Sequence, residues 1–111
     1  MSTDSRENRR VNVRMQVAYS CIDDFLSDYA SNVSLGGMFI ETQETPLPVD
    51  TRFNLRFELS DQQRIVEARA VVMWVNVDGG LTRGMGVRFE GLSARDEQAV
   101  QQWLKERDAP A

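Results

Sequence analysis

Four arginines stand close together near the start of the chain: Arg6, Arg9 and Arg10 within the run Arg6-Glu7-Asn8-Arg9-Arg10, and Arg14 four residues further on, with Glu7 the one carboxylate among them. A guanidinium is planar and always charged. It can grip a phosphate through two parallel hydrogen bonds and can also lie flat on an aromatic ring. Arginines on an arm before the first strand therefore suit a ligand that carries both a phosphate and a base. A solvated charged tail has the same composition, and arginines four apart recur at Arg52/Arg56, so the spacing by itself does not decide between the two.

A second cluster is Asn32-Val33-Ser34-Leu35-Gly36-Gly37. Asn32 and Ser34 are two apart, which on an extended backbone points both side chains to one side. A carboxamide and a hydroxyl facing the same way match the polar edge of a base, and the glycines beyond them let a ligand come close to the backbone. A plain hairpin turn favours the same residue types.

The elements that must hold these residues are strands. Val11, Val13, Met15, Val17 and Tyr19 alternate with polar or small residues, as do Phe53, Leu55, Phe57 and Leu59, and Met85, Val87 and Phe89, the two-residue period of a half-buried strand. Phe25 to Val33 and Met38 to Thr42 read as a hairpin around Ser34-Leu35-Gly36-Gly37. Ile65 to Val77 reads as a long strand with Val66, Ala68, Ala70, Val72 and Trp74 on one parity, buried on both faces near its end, where Val71, Met73 and Val75 follow. Turn signals at Pro46-Leu47-Pro48, Ser60-Asp61 and Asp78-Gly79-Gly80 separate these runs. An all-β barrel or sandwich is indicated. Ser93 with Asp96 three positions on opens one closing helix, in which Val100, Trp103 and Leu104 recur at helical spacing and lie across the barrel or a partner. Both tryptophans, Trp74 and Trp103, read as core.

Composition narrows the function. The chain has 111 residues, the size of one domain. Its 13 Lys plus Arg against 17 Asp plus Glu give no positive field for non-specific nucleic-acid binding, and Lys105 is the one lysine available to a basic groove. Histidine is absent, which removes the commonest general base and metal ligand. An enzyme is disfavoured, and Asp23, Asp24 and Asp28 read as a solvated loop, not a metal site. The lone Cys21 cannot form an internal disulfide and reads as a small packed hydrophobe in a reducing compartment. Met1 to Arg14 is polar and charged, unlike a signal peptide, and no apolar run approaches the roughly 20 residues of a membrane helix. A cytoplasmic protein is expected.

Arg6-x-x-x-Arg10, followed by a strand and then by Asn32-x-Ser34-x-x-Gly37, resembles the two-part signature of PilZ domains, bacterial receptors for cyclic di-GMP. Met38-Phe39-Ile40, Val72-Met73-Trp74 and Gly84-Met85-Gly86-Val87-Arg88-Phe89 also sit where that family has similar segments. The wording around the glycines and Pro46-Leu47-Pro48 is similar to a subgroup associated with myxobacteria and related deltaproteobacteria. The resemblance implies a six-stranded antiparallel β-barrel over residues 11–107 with a C-terminal α-helix, a flexible arm over residues 1–10 and a frayed tail over 108–111. It implies that Arg6, Arg10, Asn32, Ser34, Gly36 and Gly37 bind cyclic di-GMP, with Arg9 and Arg14 as possible additional contacts. Asn32 stands where Asp is more frequent, which turns a pair of acceptors into a donor and an acceptor. Such a receptor would change its surface on binding and so regulate an effector protein, without catalysis, cofactor or metal. A PilZ-fold interaction module that binds no nucleotide is the alternative, and a small nucleic-acid-binding barrel a third class.

Overall fold

A computed structural model describes residues 10–21, 24–59, 64–77 and 83–108. Six strands and one helix follow in chain order: β1 (Val11–Cys21), β2 (Asp24–Val33), β3 (Gly37–Glu41), β4 (Arg52–Leu59), β5 (Arg64–Asn76), β6 (Gly84–Gly91) and α1 (Ala94–Asp108). The strands close into an antiparallel barrel in the order β1-β2-β3-β6-β5-β4, so each strand pairs with a neighbour on both sides, β1 with β4 along part of its length.

Strand β4 shows why the sequence adopts this form. Phe53, Leu55, Phe57 and Leu59 are buried while Arg52, Asn54, Arg56 and Glu58 are exposed. A slip of one residue would put all four apolar groups in water, so burial fixes the register. Met38, Ile40, Val66, Val72, Met85 and Val87 from β3, β5 and β6 complete the core with Val17 and Val33. The hairpin expected at Ser34 to Gly37 forms, closed by a Ser34 N–H donating to the Gly37 carbonyl at 2.8 Å.

The closing helix starts as its sequence demands. The Asp96 N–H donates to Ser93 Oγ at 3.1 Å, satisfying one of the donors a helix start leaves unpaired. Arg64 clasps the Asp96 carboxylate through Nε at 3.0 Å and Nη2 at 2.7 Å, tying the helix to the start of β5. Val100 and Trp103 then enter the barrel core, so the helix lies across the barrel. It extends to Asp108, one residue beyond the expected limit.

Three expectations need correction. Trp74 is not core: it is 44% exposed, and Met73 and Val77 beside it are exposed as well. The register of β5 against β6 shifts between Val72 and Trp74. This bulge inserts a residue and reverses the alternation after it, so that Trp74 turns outward while Val75 packs against the core, and the strand end is not buried on both faces. Asp28 is not in a solvated loop. It lies buried in β2, where its Oδ2 accepts from Tyr19 Oη at 2.7 Å and its Oδ1 accepts from the Gln43 N–H at 3.2 Å.

Burial first, then the hydrogen bond to Asp28, push the Tyr19 hydroxyl well above its ordinary pKa of 10.0. Because the folded value lies above the unfolded one, the contribution is fully present below pH about 10 and is lost as pH rises through the folded value. The melting temperature of the wild type should therefore fall more steeply above pH about 10 than that of Tyr19→Phe. Parallel curves for the two proteins would contradict this.

Candidate functional site

Arg10 directly precedes β1, and the register explains its partner. Val11 pairs with Val33 and Asn12 with Asn32 across the β1–β2 ladder, so Arg10 is a diagonal neighbour of Asn32. Arg10 Nη1 donates to Asn32 Oδ1 at 2.7 Å. The two sequence clusters thus meet through one member of each.

Asn32 is aimed by irregular backbone. The β1–β2 register shifts between Asn12 and Met15, and the β2–β3 register shifts between Ala30 and Asn32. Paired bulges re-aim a side chain. Ala30 and Val33 point into the core while Asn32 remains partly exposed.

The same register draws a row across the sheet. Asn32 pairs with Phe39, Phe39 with Gly86, and Gly86 with Trp74. At about 4.8 Å per strand the row spans roughly 14 Å from Asn32 to Trp74. Phe39 and Trp74 stack with ring centroids 5.2 Å apart and planes inclined by 20°. Trp74 covers Phe39, which is only 7% exposed although it stands outside the core cluster. A Cβ on Gly86 would strike the Trp74 indole, and one on Gly84 the Phe39 ring. The glycines of Gly84-x-Gly86 are therefore the space in which the aromatic pair lies. Parity reasoning missed Phe39 and Trp74 as site residues. The signal that could have found them is this glycine pair on the strand that faces both rings.

The remaining expected residues divide. Ser34 is 3% exposed, and its Oγ donates to the Gly37 carbonyl at 3.4 Å. It sits within the turn, and its hydroxyl does not share the open face of Asn32. Gly37 is constrained by the fold itself: a Cβ there would fall on the Val87 carbonyl oxygen, well under the 3.0 Å that real contacts respect. The Gly36 carbonyl accepts from the Phe89 N–H at 2.9 Å, which fastens the turn to β6. Arg14 lies with its guanidinium 4.0 Å from the centre of the Tyr29 ring, a cation–π contact that directs it along β1 and away from Asn32. Arg6 and Arg9 lie outside the described residues.

A carboxamide and a flat aromatic platform in one row, with a cationic group diagonal to the carboxamide, form a face that can meet a base edge, a base plane and a phosphate. Among the described residues no group of three or more His, Cys, Asp or Glu is placed to hold a metal ion, and no helix is long and apolar enough to cross a membrane.

The small closed six-stranded barrel with one closing helix defines the class of fold. The chain belongs to the PilZ domain family, whose model matches residues 4–106; such domains are receptor and adaptor modules. Its fold is similar to that of the Bacillus subtilis inhibitor of motility MotI/DgrA, with a TM-score of 0.78 and 20% identity over 88% of this chain and 48% of that one. This chain thus spans about half the length of that protein. It is also similar to the PilZ domain of YcgR from Escherichia coli, a structure with c-di-GMP, with a TM-score of 0.72 and 16% identity over 90% and 88% of the two chains. The PilZ domain of CeSA from a cellulose-synthesizing bacterium gives a TM-score of 0.57 at 16% identity over 89% and 94%. No curated protein matches the chain in sequence.

Proposed function

We propose that this protein is a cytoplasmic, non-enzymatic cyclic di-GMP receptor that alters its surface on binding and thereby regulates an effector protein. The observation that carries the reading is the Arg10–Asn32 hydrogen bond, which brings the two motifs into one place. Cyclic di-GMP has two phosphodiesters and two guanines. Arg10, with Arg6 and Arg9 on the arm, offers charge to the phosphates and planes for stacking. Asn32 offers a donor and an acceptor to a guanine edge, and Trp74 on Phe39 offers a ring. Ser34, Gly36 and Gly37 shape the turn that presents Asn32, and Arg14, held on Tyr29, would have to leave that ring to add a contact. An arm held by ligand against β1 and β2 presents a different surface to a partner than a free one does.

Calorimetric titration with cyclic di-GMP, with GTP and double-stranded DNA as controls, should show binding at micromolar concentration or better for the cyclic dinucleotide alone. Trp74→Ala should weaken it by roughly 5- to 150-fold, the range that losing about 1–3 kcal/mol of base stacking gives. A flat titration on well-folded protein would instead favour an interaction module without nucleotide. The exposed Val49, Met73 and Val77 would supply the apolar contacts of that second reading.

A further inference from the structure

Glu90 stands between two arginines and holds them unequally. Arg52 Nε lies 2.9 Å from its Oε1 and 3.2 Å from its Oε2, whereas Arg88 Nη2 is 3.9 Å from Oε2. Both carboxylate oxygens are engaged by Arg52. Arg88 therefore keeps most of its hydrogen-bonding capacity and much of its charge, and its side chain is 57% exposed.

The backbone of Arg88 stands beside the face that carries Asn32, while its guanidinium leans along β6 toward Glu90 and would swing back to meet a ligand. Met85 and Val87 are buried, so the strand's parity turns Gly86 and Arg88 to the outer face. Arg88 pairs directly with Gly37, and its neighbour Phe89 donates to Gly36. Gly37 contributes no side chain, so the step from Arg88 toward β2 is bare backbone. By strand spacing and rise, Arg88 lies roughly 12 Å from Asn32 and two residues along β6 from the glycine beneath Trp74. Arg10 and Asn32 thus border one side of this outer face, the aromatic pair a second, and Arg88 the side across β3 from Arg10.

We infer that Arg88 is a further ligand contact, taking the phosphodiester of the cyclic dinucleotide that faces away from Arg10, and that Glu90 and Arg52 are positioning residues that set its strength. The inference rests on the proposed cyclic di-GMP reading. A ligand with two phosphates on opposite sides of a ring needs cations on two sides of its site, and Arg10 supplies one. Arg52 neutralises Glu90 and leaves Arg88 free to serve as the other. Removing Arg52 would let the carboxylate turn to Arg88 and compete with the ligand.

The test is calorimetric titration of the full chain with cyclic di-GMP at several salt concentrations, comparing wild type, Arg10→Ala, Arg88→Ala, Arg88→Lys and Glu90→Gln. Arg88→Ala should bind about tenfold more weakly or worse, the scale of one charge-assisted hydrogen bond, and its affinity should depend less on salt than that of the wild type. Arg88→Lys should recover part of the loss, because it keeps the charge without the fork. Glu90→Gln should bind more tightly than wild type. If wild type binds, Arg10→Ala loses affinity and Arg88→Ala does not, the Arg88 assignment is overturned while the receptor reading stands. An unchanged affinity in Glu90→Gln would overturn the positioning role. A folded wild type that does not bind at all overturns the receptor reading and this assignment together.

Discussion

Replacing Arg10 by alanine is expected to weaken cyclic di-GMP binding by roughly 30-fold or more, with the melting temperature of the free protein hardly changed. Arg10 is exposed and precedes the first strand, so its loss leaves no cavity. In the complex it would supply at least one charge-assisted hydrogen bond, about 1.5–3 kcal/mol, and stacking on a base adds roughly 1–3 kcal/mol; 1.4 kcal/mol is about a factor of ten. Arg6→Ala should behave similarly. Arg56, whose nearest acid is Glu67 at 3.8 Å on the solvent face of β4 and β5, is the control, and Arg56→Ala should stay within a few-fold of wild type. Arg52→Ala should also cost only a few-fold, through Glu90. Ser34→Ala should fall between these limits, because the turn that presents Asn32 loses the Oγ–Gly37 bond, and a neutral hydrogen bond contributes about 0.5–1.5 kcal/mol. Equal losses in Arg10→Ala and Arg56→Ala, read by titration, would mean that diffuse electrostatics and not a site governs binding.

Gly37→Ala should have the opposite signature, a large loss of stability before any ligand is added. The obstacle to a Cβ is the backbone of Val87 and Arg88, not the flexible end of a side chain, so it cannot swing aside. Either β3 separates from β6 or the turn at Ser34 re-forms. Overpacking of this kind costs about 1–3 kcal/mol, occasionally more, and the upper end is expected because two paired strands must part. At roughly 4–8 °C per kcal/mol for a domain of about this size, thermal unfolding should show a melting temperature lower by 10 °C or more. A variant that melts with the wild type would show that the β3–β6 approach is looser than described.

Alternation made most of the barrel legible. β1, β4 and β6 each present one face to the core, and their apolar residues announced both strand and facing. The β2–β3 hairpin was readable because Ser34 to Gly37 carries turn chemistry, and Ser93 marked the helix start through its capping oxygen. What alternation could not show was a change of phase within a strand. The shift between Val72 and Trp74 depends on how β5 meets β6, a non-local fact, and it reversed the reading of Trp74. Asp28 was misread for a related reason: a carboxylate looks solvated until its partners, Tyr19 nine residues away and Gln43 fifteen away, are brought to it. Arg10 and Asn32 could be nominated from their types, and their 22-residue separation was bridged only by the β1–β2 ladder.

The seam between β1 and β4 is short, with pairing confined to Val17–Phe57, Ala18–Arg56, Tyr19–Leu55 and Ser20–Asn54. Toward Arg10, among the described residues, β1 has no ladder partner on that side, and Trp103 of α1 lines the gap together with Asn12 to Gln16 and Phe57. The first half of β1 is therefore zipped along one margin and wedged along the other by a ring whose Nε1 is buried without a hydrogen-bond partner. Backbone opening needs fewer broken bonds there than in the β4–β5 ladder, which runs through eight residue pairs. Amide exchange through local opening is accordingly expected to concentrate in the first half of β1, the strand that begins at Val11. How rigidly the face formed by Arg10 and Asn32 is held on that side then depends on how well the closing helix stays seated, so the last element of the fold governs the stiffness of the first.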